Sequence, residues 1–160
     1  MKPLSLPLPP DGAPLRVVLD TNVVLALWHY RHPRLLGLRA WLDGRGAALL
    51  TRAGPLDELA RVLRLPDFAL SPARREALLA DYRARATCVA EPDAATRAAA
   101  EALPRCRDGD DQPFLALAWE ADAQLLLTRD QRVLAMAARP PWRGRTQIVT
   151  PERLLGHLAL

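Results

Sequence analysis

Carboxylates stand at four places in this chain where apolar segments begin or end. Asp20 follows Val17-Val18-Leu19 directly, and Asp130 lies two residues beyond Leu125-Leu126-Leu127. Glu58 falls in the first turns of a helical stretch whose apolar face carries Leu56, Leu59, Val62 and Leu63. Asp108, Asp110 and Asp111 come just before the run Phe114–Trp119. Each position has an ordinary structural use, since aspartate is a good helix N-cap and first-turn acids are favoured by the helix dipole. Gathered at one edge, the same groups would repel one another and could not all ionise cheaply. A divalent cation relieves that crowding. Hard oxygen ligands suit Mg²⁺ or Mn²⁺, with water keeping several positions. No Ser–His–Asp set or glycine-rich phosphate loop competes with an acid-only site.

Strands are expected at Arg16–Leu19, Ala47–Leu50, Thr87–Ala90, Gln124–Thr128 and Gln147–Val149, each short and apolar. Helices are expected over Asn22–Tyr30, Pro33–Asp43, Asp93–Leu103, Asp111–Asp122 and Asp130–Ala138. Gly54-Pro55 opens a further helix, Ser71-Pro72 starts one that runs to about Arg85, and Thr150-Pro151 caps the last. Strands alternating with helices predict an α/β fold on a mainly parallel sheet. In such a sheet ligands sit beyond the carboxyl ends of the strands, at the switch point. Asp20 and Asp130 converge there only if the strands before them are neighbours.

With 160 residues, 50% of them hydrophobic and 25% charged, the chain reads as one globular domain over residues 15–160. Residues 1–14 carry five prolines and no periodic pattern, which predicts an extended, poorly ordered arm rather than a signal peptide. No apolar run is long enough for a membrane span. Cys88 and Cys106, without close spacing, predict a reduced, cytoplasmic protein with neither disulfides nor a thiolate zinc site. All but one of the 22 Lys plus Arg residues are arginine, the exception being Lys2. That removes P-loop, Schiff-base and kinase chemistry, which need a lysine inside the domain. A net charge of +4 suits an acidic partner such as nucleic acid, or reflects an arginine-biased composition.

Four segments carry a family resemblance. Val17-Val18-Leu19-Asp20-Thr21-Asn22 resembles the opening motif of PIN-domain nucleases, and Glu58-Leu59-Ala60-Arg61-Val62-Leu63 the second. Arg107-Asp108-Gly109-Asp110-Asp111-Gln112-Pro113-Phe114-Leu115-Ala116-Leu117-Ala118 is similar to the third, and Leu127-Thr128-Arg129-Asp130 to the fourth. The resemblance runs from about Arg16 to Leu155 and is nearest to the toxin components of bacterial toxin–antitoxin systems. It implies a three-layer sandwich with a five-stranded sheet in the order 3-2-1-4-5, and a ribonuclease site dependent on Mg²⁺ or Mn²⁺. Asp20, Glu58, Asp111 and Asp130 fall on the family's acidic, metal-holding positions, and Asp108 on a frequent outer acid. Two residues depart from the pattern: Gly109 stands where proline is usual, and Arg129 where glycine is common between the threonine and the aspartate.

Around those acids, Thr21, Asn22 and Thr128 are short polar groups suited to orienting carboxylates or to ordinary turn hydrogen bonds. Arg31, Arg34, Arg39, Arg45 and Arg52 form the densest basic stretch. Together with Arg129 they offer contacts to an RNA backbone, the alternative being a solvated basic face. Trp28, Trp41 and Trp119 fit apolar helix faces better than base stacking. Leu35, Leu36, Leu38 and Leu42 exceed one core-facing stripe, which suggests a homodimer through the amino-half helices. A toxin reading also implies a cognate antitoxin. Two other readings stand beside it. One is a PIN-like module that binds RNA or protein without cleaving. The other is a phosphatase with Asp20 as nucleophile, disfavoured because Asn22 stands where a second aspartate is needed.

Overall fold

The structure is a computed structural model that describes residues 3–7, 9–107 and 109–158. Five strands form one all-parallel sheet: β1 (Leu15–Leu19), β2 (Ala47–Thr51), β3 (Thr87–Cys88), β4 (Leu125–Leu127) and β5 (Gln147–Val149). Their order is β3-β2-β1-β4-β5, so the chain leaves β1 in one direction and later returns to its other side. β1 pairs with β4 through Val17↔Leu125, Val18↔Leu126 and Leu19↔Leu127, which makes the strands before Asp20 and Asp130 direct neighbours.

Both faces of the sheet are covered, as parallel sheets require. Side chains alternate along each strand, so neighbouring residues enter different cores. Val17 and Leu19 of β1, Leu49 of β2 and Leu125 and Leu127 of β4 point into one cluster. The helices α2 (Leu36–Asp43), α3 (Ala53–Leu63) and α4 (Pro72–Arg85) close it, with Leu154 from α8 (Pro151–Leu158). Helix α1 (Thr21–Val24), continued by a π-helical turn over Leu25–His29, contributes Val23, Leu27 and Trp28 to the same cluster. Val18, Leu50, Leu126 and Ile148 point the other way. Over them lie α5 (Ala94–Glu101), α6 (Gln112–Glu120) and α7 (Gln131–Leu134), with Phe114, Leu115, Val133 and Trp142 fully or nearly buried.

Several expected elements are shorter than the sequence pattern suggests. β3 is two residues rather than Thr87–Ala90. α2 begins only after a 3₁₀ turn at Pro33–Leu35, and α7 gives way to a 3₁₀ turn at Ala135–Ala138. The arm is corrected more substantially: Leu4 is buried in the first cluster and Leu6 packs against it, so this stretch is anchored by its apolar residues. The leucine surplus is also corrected. Leu35, Leu38 and Leu42 are internal, and only Leu36 is exposed, at 60%.

Tyr82 of α4 meets Trp28 edge to face, with ring centroids 5.0 Å apart. Burial pushes its phenol pKa up to about 12, against a smaller lowering by the hydrogen bond with Thr51. The unfolded chain therefore releases this proton first, and stability falls as pH rises from about 10 through 12. Replacing Tyr82 with Phe is expected to remove that part of the alkaline loss, read as Tm against pH. In the native protein, ultraviolet titration should show no phenolate signal from Tyr82 near pH 10.

Candidate active site

Asp20 and Asp130 leave adjacent strands at the same sheet edge, yet their carboxylates are used differently. The Asp20 backbone carbonyl accepts from the N–H groups of Val23 (2.9 Å) and Val24 (3.1 Å), as an N-cap residue's does. Its side chain makes no cap. Instead, buried to 3% exposure, its Oδ2 accepts from Thr128 Oγ1 at 2.7 Å and from Asn22 Nδ2 at 3.1 Å. Asp130 does cap: Oδ1 accepts from the N–H of Arg132 (2.7 Å) and, at longer range, of Val133 (3.4 Å). The capping alternative thus holds for Asp130 and fails for Asp20.

A small network fixes these groups. Thr128 Oγ1 donates to Asp20 and accepts the backbone N–H of Asp130 at 3.0 Å, tying the two aspartates through one hydroxyl. Asn22 does the same across the other gap, donating to Asp20 and accepting the Arg129 N–H at 3.2 Å. Thr21 Oγ1 donates to Glu58 Oε2 at 2.5 Å, so the opening turn of α1 positions the acid of α3. Thr21, Asn22 and Thr128 thus each donate a hydrogen bond to an acid of this edge.

The electrostatics centre on Asp20. Desolvation raises its pKa above the ordinary carboxylate value of 3.8, and the charges of Glu58 and Asp130 raise it further. Hydrogen bonds from Thr128 and from the Thr21 backbone lower it, without cancelling the rise. Asp111 closes a 3₁₀ turn (Gly109–Asp111) immediately before α6 and makes no side-chain cap there. Its neighbours Asp110 and Pro113 share with Glu58 the lining of a cavity of about 400 Å³, floored by Phe114 and flanked by Arg61. Asp108 lies outside the described residues. Among the described residues, no three His, Cys, Asp or Glu side chains stand close enough to hold one ion directly.

The donor chemistry still fits a divalent cation. Every candidate ligand is a carboxylate oxygen, and a buried Asp20 carrying two further negative charges nearby is a site that a cation would relieve. Mg²⁺ dehydrates reluctantly and is commonly held by one or two carboxylates with waters between it and the rest. Asp20, Glu58, Asp111 and Asp130 are the carboxylates that would hold it.

The arginines divide. Arg129 stands on the rim of this edge, paired with Glu152. Arg52 is corrected: its guanidinium is ion-paired with Glu120, with side chains 11% and 5% exposed, and is not available to a phosphate. Arg31 and Arg34 lie beyond the far end of the helix that Asp20 opens, and a helix of that length is on the order of 13 Å. They are exposed but not at the carboxylate edge. Arg39 stacks on Trp28, 3.9 Å from the ring centroid, and pairs with Asp43. Sequence reading missed Glu152, Arg61 and the cavity beside Glu58. Only Arg61, three residues after Glu58 on the same helix and 4.0 Å from it, left a spacing signal.

The family model for the PIN domain matches residues 16–132, and the chain belongs to the PIN domain family. No curated protein matches the chain. PIN domains are in general nucleases, usually metal-dependent ribonucleases, and bind RNA. Among the described residues, no helix is long and apolar enough to cross a membrane.

A raised native-state pKa means that protonated Asp20 is favoured by folding. Its contribution is fully present below pH 3.8 and is lost as pH rises through the raised value. Asp20→Asn keeps the acceptor for Thr128 and removes the charge, so at neutral pH it is expected to raise Tm by a few degrees. The gain should vanish in acid. Mg²⁺ should raise the Tm of the wild type and not that of the variant, as calorimetry would show.

Proposed function

We propose that this chain is an endoribonuclease using Mg²⁺ or Mn²⁺, the toxin of a toxin–antitoxin module, with residues 15–160 as its nuclease domain. Asp20 carries the reading: a buried carboxylate at the carboxyl end of the central strand, faced by Glu58 and Asp130. A bound divalent cation supplies a water of lowered pKa and stabilises charge on the phosphoryl and leaving oxygens. Asp20 would hold it, with Asp130, Asp111 and Glu58 completing the charge around it. Glu58, which accepts from Thr21, would also orient an incoming water and take its proton. Thr128 and Asn22 keep the Asp20 oxygen in position throughout. The further elements of the proposal are a cytoplasmic location, a cognate antitoxin and a homodimer, the last resting on the family resemblance and not on the leucines, of which Leu35, Leu38 and Leu42 are internal.

A PIN-like module that binds RNA or protein without cleaving is the second reading, favoured by the use of Asp130 Oδ1 as a helix cap. One gel assay on mixed RNAs separates the two. Cleavage is expected with Mn²⁺, none with EDTA, and Asp20→Asn should lower the rate at least about 100-fold. Asp110→Asn should keep most of the activity. Unchanged cleavage in EDTA, or wild-type rates from Asp20→Asn, sinks the metal-nuclease reading. Light scattering at micromolar concentration is expected to give a dimer mass, and a monomer there removes that part of the proposal.

A further inference from the structure

The side chain of Arg129 is rooted between two residues of the acidic site and yet does not enter it. Thr128 before it donates to Asp20, and Asp130 after it is one of the charges that Asp20 feels. Its own N–H is bound by Asn22 Oδ1 at 3.2 Å, so its Cα is fixed at the rim. The guanidinium instead bonds Glu152, in the first turn of α8, across the carboxyl ends of β4 and β5. Glu152 therefore holds it off the site.

The pair is open to solvent, with Arg129 37% and Glu152 51% exposed. Ion pairs this exposed are weak, so a competing anion can displace the carboxylate. A phosphate diester offers the guanidinium the same planar, two-oxygen partner that a carboxylate does. Arg132 of α7 and Arg153 of α8 lie in the same two helix starts. The opposite side of the site, where Asp57, Glu58 and Asp110 line the cavity, is mainly acidic. An RNA backbone would be repelled by that acidic side.

We propose that Arg129 is the arm that takes an RNA phosphate beside the scissile one, and that Glu152 holds this arm until the phosphate replaces it. The identity of the ligand as RNA rests on the ribonuclease reading; the arm and its holder rest on the geometry. The substrate backbone would then run over β4 and β5, not across the Arg31–Arg34 surface.

The test is fluorescence anisotropy of the full chain with a short fluorescein-labelled single-stranded RNA of mixed sequence, in EDTA, with salt varied from about 50 to 200 mM. Arg129→Gln is expected to weaken binding about tenfold and to flatten the salt slope by about 0.7, one single-strand phosphate contact. Arg129→Lys should restore the slope. Glu152→Gln should tighten binding about two- to fivefold in the wild type and have no effect once Arg129 is Gln. That non-additivity separates a holder from a distant negative charge. If the wild type binds and Arg129→Gln matches it in affinity and slope, or if Glu152→Gln acts equally with and without Arg129, this inference fails while the nuclease reading stands. RNA cleaved with Mn²⁺ but not bound in EDTA also overturns it. If the wild type neither binds nor cleaves RNA, the ribonuclease reading itself falls.

Discussion

The carboxylate of Asp20 is buried at the end of the middle strand, and its surroundings are organised around that fact. An ionised group in such a place is costly unless it is hydrogen-bonded or paired. Thr128, Asn22 and the backbone of Thr21 provide the hydrogen bonds, and each is anchored by a regular element. Thr128 is fixed because its own N–H continues the ladder to Val149 of β5, at 3.1 Å. Asn22 is fixed by its place in the first turn of α1. Glu58 and Asp130 work against this arrangement by adding like charge. Hydrogen bonding that favours the ionised group and like charge that disfavours it therefore meet at one residue.

Helix starts give the site its shape. α1, α3, α6 and α7 all begin near the carboxyl edge, and each brings at least one acid with it in its first turns or just before. Asp130 lends an oxygen to its helix, whereas Asp20 lends only its backbone carbonyl. The difference follows from the partners available. Thr128 and Asn22 flank the Asp20 side chain and offer it hydroxyl and amide donors, while the freshly started α7 offers Asp130 unsatisfied N–H groups.

Much of this was readable in the residues. Short apolar strands between helices dictated a parallel sheet, and strand ends followed by Asp20 and Asp130 marked the edge at which chemistry could occur. What the sequence hides is partner choice over distance. Nothing near Arg52 indicates that Glu120, in another helix, will neutralise it, so it reads as one more exposed cation. Glu152 and Arg129 are equally remote in sequence. Leu35, Leu38 and Leu42 read as a surplus because their core is completed by α8, from the other end of the chain. Only Leu36 is left outside. Leu4 was misread for the opposite reason: prolines around it suggested a free tail, but one leucine with a place in the core is enough to hold an extended segment.

The strands shorten outward, from five residues in β1 and β2 to three in β4 and β5 and two in β3. A sheet tapered in this way leaves very few backbone groups open along its margins. Exposed strand margins are where chains template one another into aggregates, and long flat ones are the most dangerous. Here the strands that are richest in leucine and valine, and most able to recruit a neighbour, lie between others. The taper lets this chain keep an almost uninterrupted apolar middle without offering it for edge-to-edge growth.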